Sequence, residues 1–168
     1  PELLVYFTDA DGEFPGVLDS FASHLHPDDA DATWAAVDAH LEGLLPDTTY
    51  WYAVRTGLTA TEPVSFRTPP AEPAPFRLVA MSDMQQDDSR PDEWSEVVQD
   101  GVIDFVTDEY AADLPDALAL VLLSGDLVDS GWNIAHWTDT FFPATAPLMA
   151  RVPLYPVMGN HEGGSPLF

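Results

Sequence analysis

Leu118-Ala119-Leu120-Val121-Leu122-Leu123-Ser124-Gly125-Asp126-Leu127-Val128-Asp129 decides how this chain folds. An apolar run breaks at Ser124-Gly125 into a loop carrying two carboxylates, which is how a β-strand ending in an acid-rich loop reads. Two other stretches repeat the design. Arg77 to Met81 leads into Ser82-Asp83-Met84-Gln85, and Val152 to Met158 leads into Gly159-Asn160-His161-Glu162. A parallel sheet would gather all three loops at one edge, where open α/β sheets bind their ligands. Carboxylate, amide and imidazole groups gathered there can hold two divalent cations about 3.5 to 4 Å apart, an arrangement that clamps a phosphoryl group.

The segments between these strands are helical in pattern. A helix is predicted from near Pro91, with Asp92 and Glu93 at the positive end of its dipole and Trp94, Val97, Val98, Val102, Phe105 and Val106 on its buried face. A second helical stretch is expected from about Trp132 to Phe141, with Pro143 opening a further turn toward Met149, and Trp132, Trp137, Phe141 and Phe142 packing it on the sheet. Strand, helix, strand, helix, strand implies right-handed crossovers and a parallel sheet. The run Gln86-Asp87-Asp88-Ser89 reads as a solvated loop, since it lacks the spacing of a calcium loop.

Upstream the period changes. Leu3 to Phe7, Trp34 to Leu41, Tyr50 to Arg55 and Val64 to Phe66 read as strands, with a turn at Asp11-Gly12 and a helix-free loop from Asp19 to Ala32. Residues 1–68 are therefore expected to form a partial antiparallel β-sandwich. The proline-dense connector 69–75, Pro69 to Pro75, separates them from residues 76–168, the βαβαβ part. The whole reads as an α+β two-domain fragment. Pro1-Glu2-Leu3-Leu4 is neither a signal peptide nor an initiator, and Phe168 follows a turn-rich stretch, so a cut at both ends is expected.

Charge narrows the partners. Asp and Glu number 29 against 5 basic residues, all arginine, for a net charge of -24. Such a surface repels itself in dilute salt but is screened at molar salt, where the Debye length is about 3 Å, so a salt-loving source is expected, with an acidic protein of an ordinary bacterium as the alternative. It offers no basic patch for nucleic acid. No apolar stretch is long enough to span a bilayer, and without cysteine there is no disulfide or thiolate chemistry. Oligomeric state is not encoded legibly.

Within the three loops, Asp83 would give a hard oxygen to one cation and Asp126 could bridge two. Asn160 would offer a neutral amide oxygen, and His161 would face the substrate. His24, His26 and His40 fall in the N-terminal part, and His136 falls on a helix as a surface or packing residue.

Together, Ser82-Asp83-x-Gln85, Gly125-Asp126-x-x-Asp129-x-Gly131 and Gly159-Asn160-His161-Glu162 resemble the first three motifs of the calcineurin-like metallophosphoesterases. Gly43 to Tyr50 resembles the turn into strand F of fibronectin type III domains, with Tyr50 as the corner tyrosine and Val64 to Thr68 as the last strand. That layout is similar to purple acid phosphatases. The resemblance implies a fibronectin III-like sandwich followed by the first half of a metallophosphoesterase domain. It implies Asp83, Asp126 and Asn160 as ligands of two divalent or trivalent ions, Fe, Mn or Zn. It implies His161 and Glu162 as catalytic residues, His161 near the leaving group and Glu162 orienting it. The reaction implied is hydrolysis of a phosphate ester by in-line attack of a metal-bound hydroxide.

Two positions depart from that pattern. Gln85 stands where the family usually has His, or Gly in the purple subgroup, so any ligation there is by an amide oxygen. Asp129 stands where the purple subgroup has Tyr, so a colourless enzyme is expected, with Asp129 accepting a hydrogen bond outside the ligand sphere or ligating weakly. The family's later histidines find no counterpart before Phe168, so this stretch alone is expected to bind metal weakly and turn over negligibly. A family member with impaired catalysis, serving as a surface- or polymer-binding module, is the competing reading, and a single-metal phosphodiesterase or nucleotidase is a third. The fibronectin-like part and the saline composition point to a secreted or cell-surface protein.

Overall fold

The computed structural model describes residues 3–8, 16–18, 21–24, 36–39, 41–56, 58–86 and 89–168. The chain divides into two units, Pro1–Pro73 and Ala74–Phe168.

In the first unit the described strands are β1 (Leu3–Thr8), β2 (Gly16–Leu18), β3 (Phe21–His24), β4 (Ala36–Ala39), β5 (Thr49–Thr56), β6 (Thr59–Ala60) and β7 (Val64–Arg67). All their pairings are antiparallel. One sheet runs β2-β1-β5-β6, with β7 also on β5, and β3 pairs with β4 in a second. β3 corrects the expectation of a continuous loop from Asp19 to Ala32. It is a four-residue strand whose existence depends on its register with β4, Phe21 opposite Ala39, a non-local pairing that local periodicity does not carry. The turn at Asp11-Gly12 lies outside the described residues, as do Trp34 and His40. The Tyr50 hydroxyl accepts the Leu45 N–H at 2.9 Å, and Tyr50 stacks on Phe66 at 5.8 Å between centroids.

The second unit is built on three parallel strands, β8 (Leu78–Met81), β9 (Leu120–Leu123) and β10 (Leu154–Pro156), in the order β10-β9-β8. Their side chains alternate. Val121 and Leu123 are buried beneath the helices, while Leu78, Leu122 and Tyr155 are exposed on the opposite face. Leu154 opposes Val121 and Leu78 opposes Leu120, so the three strands end nearly level. That levelling puts the three loops at one edge.

The first crossover helix covers residues 93–110. Its ends, Glu93–Glu96 and Phe105–Tyr110, are α-helical, and its middle, Val97–Asp104, is wound in the wider π fashion. Widening moves the apolar stripe to a spacing of four. Val98, Val102 and Val106 are buried and Trp94 and Ile103 pack beside them, whereas Val97 and Phe105, expected on the same face, are exposed. The helix ends at Ala111, left-handed at φ 48°, and a short helix Leu114–Ala117 leads into β9. Arg151 pairs with Asp113 at the start of that short helix.

The second crossover starts later than its composition suggests. His136–Phe141 continues into Phe142–Met149 without a break. Pro143 falls just past that junction, as the second residue of Phe142–Met149. Trp137 and Phe141 are buried, but Trp132 and Phe142 are exposed, and Trp132 lies in the turn ahead of the helix. The core includes Val98, Leu114, Val121, Leu123, Leu127, Leu148 and Val152, all nearly inaccessible. Each is worth about 1.5–3 kcal/mol by burial.

Candidate metal centre

Backbone hydrogen bonds continue past the strand ends and stitch the loops together. Ser124 N–H donates to Met81 O at 2.9 Å, Met84 N–H to Asp126 O at 2.7 Å, and Val157 N–H to Leu123 O at 2.9 Å. Asp83 N–H reaches Gly125 O at 3.3 Å. Asp83 and Asp126 thus leave neighbouring strands as a linked pair. Both are left-handed, at φ 56° and φ 52°. This conformation is uncommon for residues with a Cβ, is tolerated best by Asp and Asn, and collects at functional sites.

The third loop is held to the second by Glu162, whose carboxylate is fully buried. One oxygen accepts the N–H groups of Asp126 at 2.9 Å and Gly159 at 2.7 Å, and the other those of Leu127 at 2.8 Å and Val128 at 3.3 Å. Asp126 Oδ1 in turn accepts the His161 N–H at 3.0 Å. Glycine makes the approach possible. A Cβ on Gly159 would lie 2.1 Å from Asp126 Oδ1 and 2.4 Å from its backbone nitrogen, and one on Gly125, itself at φ 102°, would lie 2.7 Å from Gly159 Cα.

Glu162 therefore does not orient the His161 ring as the resemblance implies; it gathers four backbone amides. The ring is set by Asp129, whose carbonyl oxygen lies 2.8 Å from Nδ1 and whose carboxylate lies 3.8 Å away. A carbonyl only accepts, so Nδ1 carries the proton and Nε2 is left for other partners. That bond raises the His161 pKa above its ordinary value; partial desolvation opposes it, and the charges of Asp126, Asp129 and Glu162 reinforce it. Asp129 thus acts on His161 mainly through its backbone, as an acceptor. His136 is a packing residue: its Nδ1 accepts the Ser130 N–H at 3.0 Å.

Gln85 and Asn160 complete the candidate set. Asn160 is exposed on its turn. Gln85 Oε1 is a buried acceptor without a hydrogen-bond partner, one of two such side-chain atoms among the described residues, the other being Trp94 Nε1. Asp83 is exposed, with the Ser82 hydroxyl on its Oδ2. Among the described residues no group of three or more His, Cys, Asp or Glu side chains is arranged to hold an ion. Asp83, Gln85, Asp126 and Asn160 all lie in the loops at this edge, two carboxylates and two amides, and the Gln85 oxygen is unpaired. Such a set fits part of an oxygen-rich site for a hard cation.

The loop around Gly131 supports this edge. Gly131 N–H donates to His161 O at 2.9 Å, and Gly131 O accepts from Trp137 Nε1 at 3.0 Å and from Ser165 Oγ at 2.6 Å. Sequence assigned no part to Ser165 and gave Trp137 only the packing of its helix on the sheet. The motif names Gly131 but not the two groups that its carbonyl holds.

Residues 76–168 match the family model described as calcineurin-like phosphoesterase. Among solved structures the chain is similar to the purple acid phosphatase PPD1 isolated from yellow lupin (Lupinus luteus) seeds, with a TM-score of 0.63 at 16% identity over 96% of this chain and 30% of that one. The chain thus spans less than a third of that protein, and at this identity the likeness concerns the fold. No curated protein matches the chain.

Proposed function

Because the chain belongs to the calcineurin-like phosphoesterase family, we propose that it contributes the first half of a metal-dependent site hydrolysing phosphate esters. The observation that carries the reading is the linked pair Asp83 and Asp126, both in left-handed backbone at the ends of adjacent parallel strands. Asp83, Gln85, Asp126 and Asn160 would hold the ions, and the family points to two of them, divalent or trivalent. When bound, such ions stabilise charge on the phosphoryl oxygens and lower the pKa of water. His161, with Nδ1 committed to Asp129, would present Nε2 to the leaving oxygen and hold or give a proton there. Asp126 Oδ1 is positioned by the His161 N–H, which fixes the carboxylate relative to the imidazole. Dissolved salt and the bound cations would offset the net charge of -24 that otherwise repels an anionic ester.

Phosphate release from aryl and alkyl esters by the intact protein tests this. Chelation should abolish it and Mn, Fe or Zn should restore it; hydrolysis indifferent to chelator, or none in the metal-loaded protein, would overturn the reading. Gln85→Ala is expected to weaken metal binding about tenfold by calorimetry. Unchanged affinity would show that Gln85 Oε1 takes no part in holding the ion.

A second reading keeps the fold and drops the chemistry. Gln85 in place of an imidazole favours a catalytically impaired module that binds a surface or polymer. Metal content decides: two equivalents per chain support the enzyme, one a single-metal esterase, none the module. Residues 1–68 are proposed to be a partial fibronectin III-like sandwich, supported by the Tyr50 back-bond and the antiparallel pairings. Among the described residues no helix is long and apolar enough to cross a membrane. Export of the protein remains a proposal, supported by the acidic composition.

A further inference from the structure

Trp132 is 64% exposed on a loop that is otherwise tied down. The residue before it, Gly131, is fixed on both sides: its N–H is bonded to His161 O, and its carbonyl accepts from Trp137 and Ser165. A Cβ on Gly131 would lie 2.6 Å from Glu162 Cα, so the Trp132 loop and the His161 turn are in backbone contact. A single point, the Cβ position of Gly163, lies 3.6 Å from both Trp132 Nε1 and Asn160 O. The nitrogen edge of the indole therefore borders the turn that carries Asn160 and His161, while most of the ring stays open.

We propose that Trp132 is the leaving-group platform of the candidate site and selects phosphate esters whose leaving group is a flat aromatic ring. The inference rests on the phosphoesterase reading above and adds a substrate class to it. His161 would face the leaving oxygen, and Trp132, next to the Gly131 whose N–H is bonded to His161 O, would stack on the group attached to that oxygen. A ring presented on a rigid loop loses little freedom when it stacks, and an aromatic partner gains more from it than an alkyl one. Neither Trp137, which is buried with its N–H satisfied, nor the buried Phe141 is open to do this.

The test compares phenyl phosphate with glycerol phosphate on the intact, metal-loaded protein, so that intrinsic reactivity cancels between variants. Trp132→Ala should lower the phenyl-to-glycerol ratio of kcat/KM by about three- to tenfold, mainly through KM, and Trp132→Phe should keep most of it. In parallel, phenylphosphonate should bind more tightly than methylphosphonate to the wild type, and to a lesser degree or not at all to the alanine variant. Equal losses for both esters, no loss, or phosphonates bound alike would overturn the proposal while leaving the phosphoesterase reading intact. A wild type that hydrolyses neither ester removes that reading, and this inference falls with it.

Discussion

Glu162→Ala is expected to lower the stability of the Ala74–Phe168 unit by at least about 3 kcal/mol, because the buried Leu127 and Val128 N–H groups each forfeit about 1–3 kcal/mol and the part-buried ones of Asp126 and Gly159 lose the same partner. That is a large share of the roughly 5–15 kcal/mol typical of a domain. Denaturant unfolding followed by far-UV circular dichroism gives the number, and a loss below about 1 kcal/mol would show that the amides find other partners. Glu162→Gln discriminates further. Its amide oxygen can still accept two of the N–H groups, but its NH2 must then face the other two, so a loss of about 2 kcal/mol is expected. The same variant addresses the catalytic part that the family resemblance implies for this residue. A Glu162→Gln protein that keeps its stability and loses its turnover would make Glu162 a direct participant. A protein that loses both in proportion confirms that the carboxylate acts by placing Asp126 and Gly159.

The parallel sheet was legible because its signal is local. The apolar runs ending at Met81, Leu123 and Met158 are each followed by a loop with Asp or Asn, and the strands found inside them, β8, β9 and β10, lie adjacent. Only their lengths were overestimated, since Val157 and Met158 are apolar yet exposed beyond the end of β10. Helix phase was less legible. Val97 and Phe105 sit at good α-helical spacing from Trp94 and Val98, and only the wider winding through Gly101 turns them outward. β3 depended on a partner strand in a distant part of the chain, and its composition alone suggested loop. At the candidate site the order of the motifs indicated which residues meet at the sheet edge, but not their roles. Sequence carries no mark of a carboxylate spent on amides, and the orienting of His161 by Glu162 came only from the family resemblance. The one usable hint was its place three residues after Gly159, a distance from which a Glu side chain can fold back on a loop N–H as it does at the start of a helix.

Gly159→Ala should be as damaging as the loss of Glu162, by an opposite physical route. Nothing polar is removed; instead a methyl group is forced to within 2.1 Å of Asp126 Oδ1 and 2.4 Å of its backbone nitrogen. A side-chain oxygen can swing aside, but the backbone nitrogen is pinned by Glu162, so the loops must part. Overpacking of this kind costs about 1–3 kcal/mol or more. The larger effect is on the site, because parting the loops breaks the His161 N–H to Asp126 bond and moves Asp126 away from Asn160. Metal binding by the intact protein should fall at least about 100-fold by calorimetry, beyond the roughly 10–100-fold loss usual for residues that merely support ligands. Gly101→Ala is the control. Its Cβ meets nothing within 4 Å in the middle of the first crossover helix, so the same chemical change should stabilise the fold by about 0.5–1 kcal/mol and leave metal affinity alone. If Gly159→Ala behaves like Gly101→Ala, the contact between the second and third loops is not what holds Asp126 in place, and the case for a shared metal edge loses its geometric basis.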